Sequence, residues 1–222
     1  MRVPQQKGKK GSLKWIQILV NEHPTRLNKA IASELLFSNL NIQWLSPLKS
    51  DRYAEYRDDS FLDLLGLGEF KSKLREFWPQ RGPQWDSLGK GTDDGPYFLI
   101  EAKANIPEIM SGCSAKSERS IALIRKSLAE TREYLGCKET ELWENGFYQY
   151  VNRIAHLHFL RNICGVDARL VFVYFLNDPT HIPTSREEWA GALELQKSLL
   201  GLKNHRLKKF VAEIFIDVKE LS

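Results

Sequence analysis

The sequence predicts an α/β domain built on one mixed sheet, and three observations carry that reading. Arg169 to Leu176 is a continuous apolar run of strand length, as expected of a strand covered on both faces. Gly82 to Lys103 reads as an antiparallel hairpin. Its two strand-like stretches, Gln84 to Leu88 and Tyr97 to Ile100, flank the turn-rich Gly89 to Pro96. Around these lie segments with helical periodicity, so the order is helices, hairpin, helices, strand, helix, strand.

Taken in order, residues 1–11 carry Gln, Lys and Gly without periodicity and are expected to form a flexible basic arm. Residues 12–222 are expected to form a single domain. Within it, 12–48 is the N-terminal helical part. Ser12 caps a helix through Val20, Pro24-Thr25 opens a second toward Leu36, and Pro47 breaks the chain. The core spans 49–176, beginning with a helix from Arg52 to Leu65, capped by Ser50 or Asp51 and stopped by Gly66. A helical insertion covers 105–136, with an amphipathic helix from Ser117 to Leu135 ended by Gly136. Phe147 to Ile163 is a further helix. Residues 177–222 add a helix from Thr184 to Leu200, with Ser185 or Thr184 as cap and acids in its first turn, and a last strand from Phe210 to Val218.

Composition narrows the function classes. The chain has 222 residues, 42% hydrophobic and 27% charged, which is ordinary for a packed domain. Its net charge of +4 permits contact with phosphates without arguing for it. Cys113, Cys137 and Cys164 form an odd set without CxxC spacing, which speaks against a disulfide framework or a zinc knuckle and for reduced thiols in a cytoplasmic protein. The basic N-terminus lacks the apolar core of a signal peptide, and the most apolar stretch is too short to span a bilayer.

The chemistry is expected near Glu101. An acid–any–lysine pattern occurs three times, at Glu69-Phe-Lys71, Glu101-Ala-Lys103 and Asp217-Val-Lys219, so the pattern alone decides nothing. On a strand, residues two apart share a face, so Glu101 and Lys103 project together. The hairpin sets Asp86 opposite Ile100 or, with a one-residue offset, Glu101. Facing carboxylates roughly 5 Å apart at Cβ repel unless a cation lies between them, and hard oxygen donors suit Mg²⁺ or Mn²⁺. Glu69 is placed at a helix start, where residues two apart diverge. Asp217 is the serious rival, being on a strand, but it lacks an acid on an adjoining hairpin strand.

Asp86 followed by Glu101-Ala-Lys103 at the end of an apolar strand resembles the PD-(D/E)xK nuclease superfamily, whose fold is restriction-endonuclease-like. The resemblance implies a core of helix, three-stranded meander, helix and strand, with helices on both faces of the sheet. It implies that Asp86 and Glu101 hold the metal and that Lys103 assists the nucleophile. It also implies an acid on the first core helix, for which Glu55 is preferred to Asp58 and Asp59. Where the family has a proline directly before the aspartate, this chain has Trp85, with Pro83 two residues earlier. The first strand of the meander is not obvious before Gly82, and Phe77 to Arg81 is its degenerate candidate. Gln149, Asn152 and Arg153 share a helix face, resembling the glutamine-bearing helix of several branches.

The expectation is therefore a Mg²⁺- or Mn²⁺-dependent nuclease. Its catalytic residues would be Asp86, Glu101, Lys103, Glu55 and Gln149, and its phosphate contacts Arg153, Lys90, Lys116 and Arg119, with Arg153 alternatively pairing with a carboxylate of the site. Nucleic acid is the expected partner, DNA over RNA by the family's habit, with no membrane; a homodimer is left open. Two rivals stand beside it: a catalytically inactive binding module that kept the fold, and a metal-free enzyme using Cys113 or Cys164. His156 and His158, about 200° apart on their helix, are not expected to share an ion. Trp78 and Trp85 are read as packing before base stacking.

Overall fold

A computed structural model describes residues 1–92, 95–138 and 141–221. The hairpin tip, Asp93 and Asp94, and the last residue, Ser222, lie outside the described residues. The strands are β1 (Arg2–Val3), β2 (Ile42–Ser46), β3 (Glu55–Tyr56), β4 (Ser87–Gly91), β5 (Tyr97–Lys103), β6 (Ala168–Leu176) and β7 (Val211–Asp217). The helices are α1 (Gly11–Glu22), α2 (Pro24–Glu34), α3 (Asp59–Leu65), α4 (Lys71–Phe77), α5 (Glu118–Leu135), α6 (Leu142–Asn145), α7 (Tyr148–His158) and α8 (Arg186–Leu200).

Five strands form one mixed sheet in the order β2-β4-β5-β6-β7. The β2, β4 and β5 neighbours run antiparallel, whereas β5, β6 and β7 are parallel. Strand alternation sorts the core into two layers. Phe98, Ile100, Ala102, Val171, Val173 and Phe175 face α1 and α2, where Trp15, Ile16, Leu19, Leu27 and Ile31 cover them. Leu88, Leu99, Leu170, Phe172 and Tyr174 face the other way, against α3, α4, α5, α7 and α8. Tyr150 of α7 stacks on Phe172 with ring centres 4.5 Å apart. The α/β class, the mixed sheet and helices on both of its faces are as expected.

Several helix ends follow the expected chemistry. Ser185 and Glu188 form a reciprocal capping box on α8. Gly136 ends α5 at φ 74°, a left-handed conformation that a side chain disfavours. The last turn of α7 widens into a π-helical turn over Phe159–Ile163.

Four local expectations are corrected. Residues 1–11 are an ordered strap: Arg2 and Val3 pair with Tyr56 and Glu55, and the Gln5 amide donates to the Arg52 carbonyl at 3.1 Å. The helix expected over Arg52 to Leu65 begins only at Asp59. Arg52 and Tyr53 adopt positive φ angles of 54° and 50°, which no right-handed helix admits, and Glu55 lies on the short β3. The first strand of the meander is β2, inside the part read as purely helical. Its alternation of Ile42, Trp44 and Ser46 inward against Gln43 and Leu45 was legible. Gly89 admits it, since a Cβ there would stand 2.7 Å from Ile42 and 3.0 Å from Trp44. Phe77 to Arg81 is no strand: Phe77 closes α4 and a loop follows.

Candidate active site

The pairing of β4 with β5 sets Ser87 opposite Ile100, and Asp86, in a bend just before β4, lies against the same Ile100, the first of the two expected alternatives, while still lining one cleft with Glu101. Asp86 stands one position before β4. Its amide donates to the Ile100 carbonyl at 3.2 Å, and its carboxylate takes the Ala102 amide at 2.7 Å. Asp86, Glu101 and Lys103 all share the face of Leu88 and Leu99, the face that α7 covers. They line a cleft of ≈ 710 Å³ together with Glu55, Gln84, Gln149, Asn152 and Arg153.

Glu101 is 3% exposed and is held by two cations. Lys103 Nζ lies 2.5 Å from Oε1, while Arg153 Nε and a terminal nitrogen lie 2.6 Å and 2.5 Å from Oε2. Lys103 also donates to Gln149 Oε1 at 2.9 Å. Arg153 is used inward throughout: it donates to the Gln84 carbonyl and to Asn152 Oδ1, each at 2.8 Å. Its guanidinium carbon lies 4.9 Å from the centre of the Trp85 ring. Of the two roles open to Arg153, phosphate contact or carboxylate partner, the structure shows the second: it braces Glu101. Lone charges at such burial would cost several kcal/mol each; paired and hydrogen-bonded, they are tolerated.

Glu55 reaches the cleft from β3. Its Oε2 accepts from Gln84 Nε2 at 2.5 Å and from Gln5 Nε2 at 3.1 Å. Its competitors lie elsewhere: Asp58 accepts from the Gly82 amide at 2.9 Å and Asp59 pairs with Arg75. Trp85 stands directly before Asp86. Its amide donates to the Tyr56 carbonyl at 3.0 Å, joining β3 to the hairpin, a bond that a proline at this position could not make.

The electrostatics follow from this wiring. Burial, then the neighbouring Glu101 and Glu55 carboxylates, push Asp86 well above the usual carboxylate range. Burial pushes Glu101 up too, but Arg153 and Lys103 outweigh it and hold Glu101 low. Burial raises Glu55, against the hydrogen bonds from Gln84 and Gln5. Burial lowers Lys103, but Glu101 and Asp86 outweigh it and keep the ammonium charged. Three carboxyls therefore face two cations, both taken by Glu101, and neither Asp86 nor Glu55 makes an ion pair among the described residues.

The remaining candidates divide. Lys116 lines the cleft; Arg119 is exposed on the first turn of α5 beside it. Lys90 does not join them, since it stands at the other end of β4 with its ammonium 5.4 Å from the Tyr97 ring centre. Trp78 and Trp85 are buried and pack against His156. His156 and His158 occupy separate surroundings, His156 bonding the Asn152 carbonyl and His158 lying beside Tyr134. Burial pushes the Cys164 thiol up to about 11, which suits no nucleophile. Sequence reasoning missed Gln84 and Gln5. Gln84 was open to inference, being two residues before Asp86; Gln5 was not, because only the β1–β3 pairing brings it there. Among the described residues no three His, Cys, Asp or Glu side chains form a ready-made metal cage.

Searches of family models, curated proteins and solved structures return no match to this chain.

Proposed function

We propose that the protein is a divalent-metal-dependent phosphodiester hydrolase with a restriction-endonuclease-like core, acting on nucleic acid and on DNA in preference to RNA. The observation that carries this reading is the convergence of Asp86 and Glu101 from facing strands, with Lys103 beside them, in one cleft. The donor set fits a hard cation. It offers carboxylate oxygens, and Asp86 is a buried carboxyl with an excess of negative neighbours and no ion pair among the described residues.

Asp86 and Glu101 would hold Mg²⁺ or Mn²⁺, which when bound lowers the pKa of a coordinated water and neutralises charge on the scissile phosphate. Lys103 orients the attacking water and offsets charge on the phosphoryl oxygens. Gln149 fixes the Lys103 ammonium through its side-chain oxygen, and Arg153 fixes Glu101. Glu55, braced by Gln84, presents a third carboxyl to the same cleft.

The test is cleavage of linear and plasmid DNA with Mg²⁺ or Mn²⁺ against EDTA. The wild type cleaves only with metal, and Asp86→Ala and Lys103→Ala do not cleave. Full activity in Glu101→Ala or Lys103→Ala would sink the proposal. One observation favours a second reading, a non-catalytic nucleic-acid-binding module: both Glu101 oxygens are already neutralised by Lys103 and Arg153. Thermal unfolding with Mn²⁺ separates the two. A ligand that binds only the folded state at a hundred times its Kd adds about 2.7 kcal/mol. A Tm gain lost in Asp86→Ala supports the metal site, and no gain supports the module.

A further inference from the structure

The strap formed by residues 1–11 is fixed at five points. The Arg2 guanidinium bonds Asp51 at 2.6 Å, and Gln5 bonds the Arg52 carbonyl and Glu55. The buried Gln17 side chain then grips the backbone twice, donating to the Gln6 carbonyl at 3.0 Å and accepting from the Gly8 amide at 2.8 Å. The Gly11 amide donates to Thr180 Oγ1 at 3.3 Å. The stretch so fixed runs from a contact with Glu55 to Ser12, and Glu55 and Ser12 both line the cleft. Between them stand Lys7, Lys9 and Lys10. All three are exposed, and none makes an ion pair among the described residues.

Fixing backbone costs about 1–2 kcal/mol per residue, and three unpaired like charges on a fixed backbone repel one another. A disordered basic tail would carry neither cost. An ordered one holds its cations where a polyanion passes. We propose that this strap is a phosphate-binding rim beside the cleft, with Lys7, Lys9 and Lys10 taking backbone phosphates of the nucleic-acid strand whose scissile bond lies at Asp86 and Glu101. The inference rests on the nuclease reading of that site and adds how its substrate is held. Contacts of this kind carry no sequence information, so they orient the strand without selecting it.

Each phosphate neutralised releases counterions, so the salt dependence of binding counts the contacts. The experiment measures the affinity of the full chain for a fluorescent duplex oligonucleotide in EDTA across a salt series. The triple variant Lys7→Gln, Lys9→Gln, Lys10→Gln flattens the slope of log affinity against log salt by roughly 2–3. Its Mn²⁺ thermal shift stays at the wild-type value, because the metal ligands are untouched. The control Lys203→Gln, Lys208→Gln, Lys209→Gln removes as much charge away from the cleft and keeps the wild-type slope. A strap variant with the wild-type slope overturns this inference and leaves the nuclease reading standing. A wild type that neither binds nor cleaves nucleic acid overturns both.

Discussion

Glu101-Ala-Lys103 and Asp217-Val-Lys219 are the same three-letter pattern at the ends of two parallel strands of one sheet, and they end in different chemistry. Glu101 and Lys103 both belong to β5, which is flanked by β4 and β6. The strand aims both side chains at the face under α7, where they meet each other and Gln149 and Arg153. Asp217 is the last residue of β7 at the sheet edge. The chain then turns into a 3₁₀ helix over Val218–Leu221, so Lys219 is exposed and offers Asp217 only its amide, at 3.0 Å, beside Asn177 at 2.8 Å. Glu69-Phe-Lys71 fails in another way: Glu69 is exposed and Lys71 pairs with Asp63 at 2.5 Å. A shared strand face is necessary for such a pair to act together. A second acid on the facing strand and a helix that returns cations to it complete the site, and only the Glu101 copy has both.

The sharpest way to break this comparison is to remove each lysine in turn. Lys103→Ala should lower metal-dependent cleavage about 10²–10⁴-fold, whereas Lys219→Ala should leave it unchanged. Equal losses in DNA-cleavage assays would end the distinction. The next effect is on stability. Arg153→Ala leaves Glu101 buried with one cation fewer and should cost about 3–5 kcal/mol in urea denaturation. Asp217→Asn, at a partly exposed position, should cost under about 0.5 kcal/mol.

A further effect, one of pH, concerns the wall behind Glu101. His156 is buried among Phe61, Phe77, Trp78 and Trp85, and burial lowers its pKa to about 3. Between about 6.5 and that value the unfolded chain takes up a proton that the folded chain refuses, so stability falls as pH falls across this window. The slope is about 1.4 kcal/mol per pH unit for one proton. His156→Phe should flatten the decline of Tm between pH 6.5 and 4; an unchanged slope would assign that acid sensitivity elsewhere.

How far the molecule was legible follows sequence distance. The β4–β5 hairpin, α7 and β6 were readable because each is written in contiguous residues, by turn chemistry, by the shared face of Gln149 and Arg153, and by an unbroken apolar run. The position of Asp86 followed to within one residue. The carriers of Glu55 were not readable: β1 and β3 have two residues each, too few for any periodicity, and they pair across more than fifty positions. The same holds for the direction of Arg153. Its place on the helix was clear, but whether it served substrate or carboxylate depended on Gln84 and Trp85 arriving from β3's side of the cleft.

The contacts of the site also imply an order of assembly during folding. The bond from the Ala102 amide to Asp86 spans 16 residues within one hairpin, whereas those from Gln149 and Arg153 to the hairpin span 46, 52 and 69. Closing a loop becomes entropically harder as it lengthens, and hairpins form within microseconds. The two acids are therefore expected to meet before α7 docks. Through that interval Lys103, two residues from Glu101 on the same strand face, is the cation already beside them. A lysine on that strand face thus also lets a doubly acidic hairpin close before its distant partners reach it.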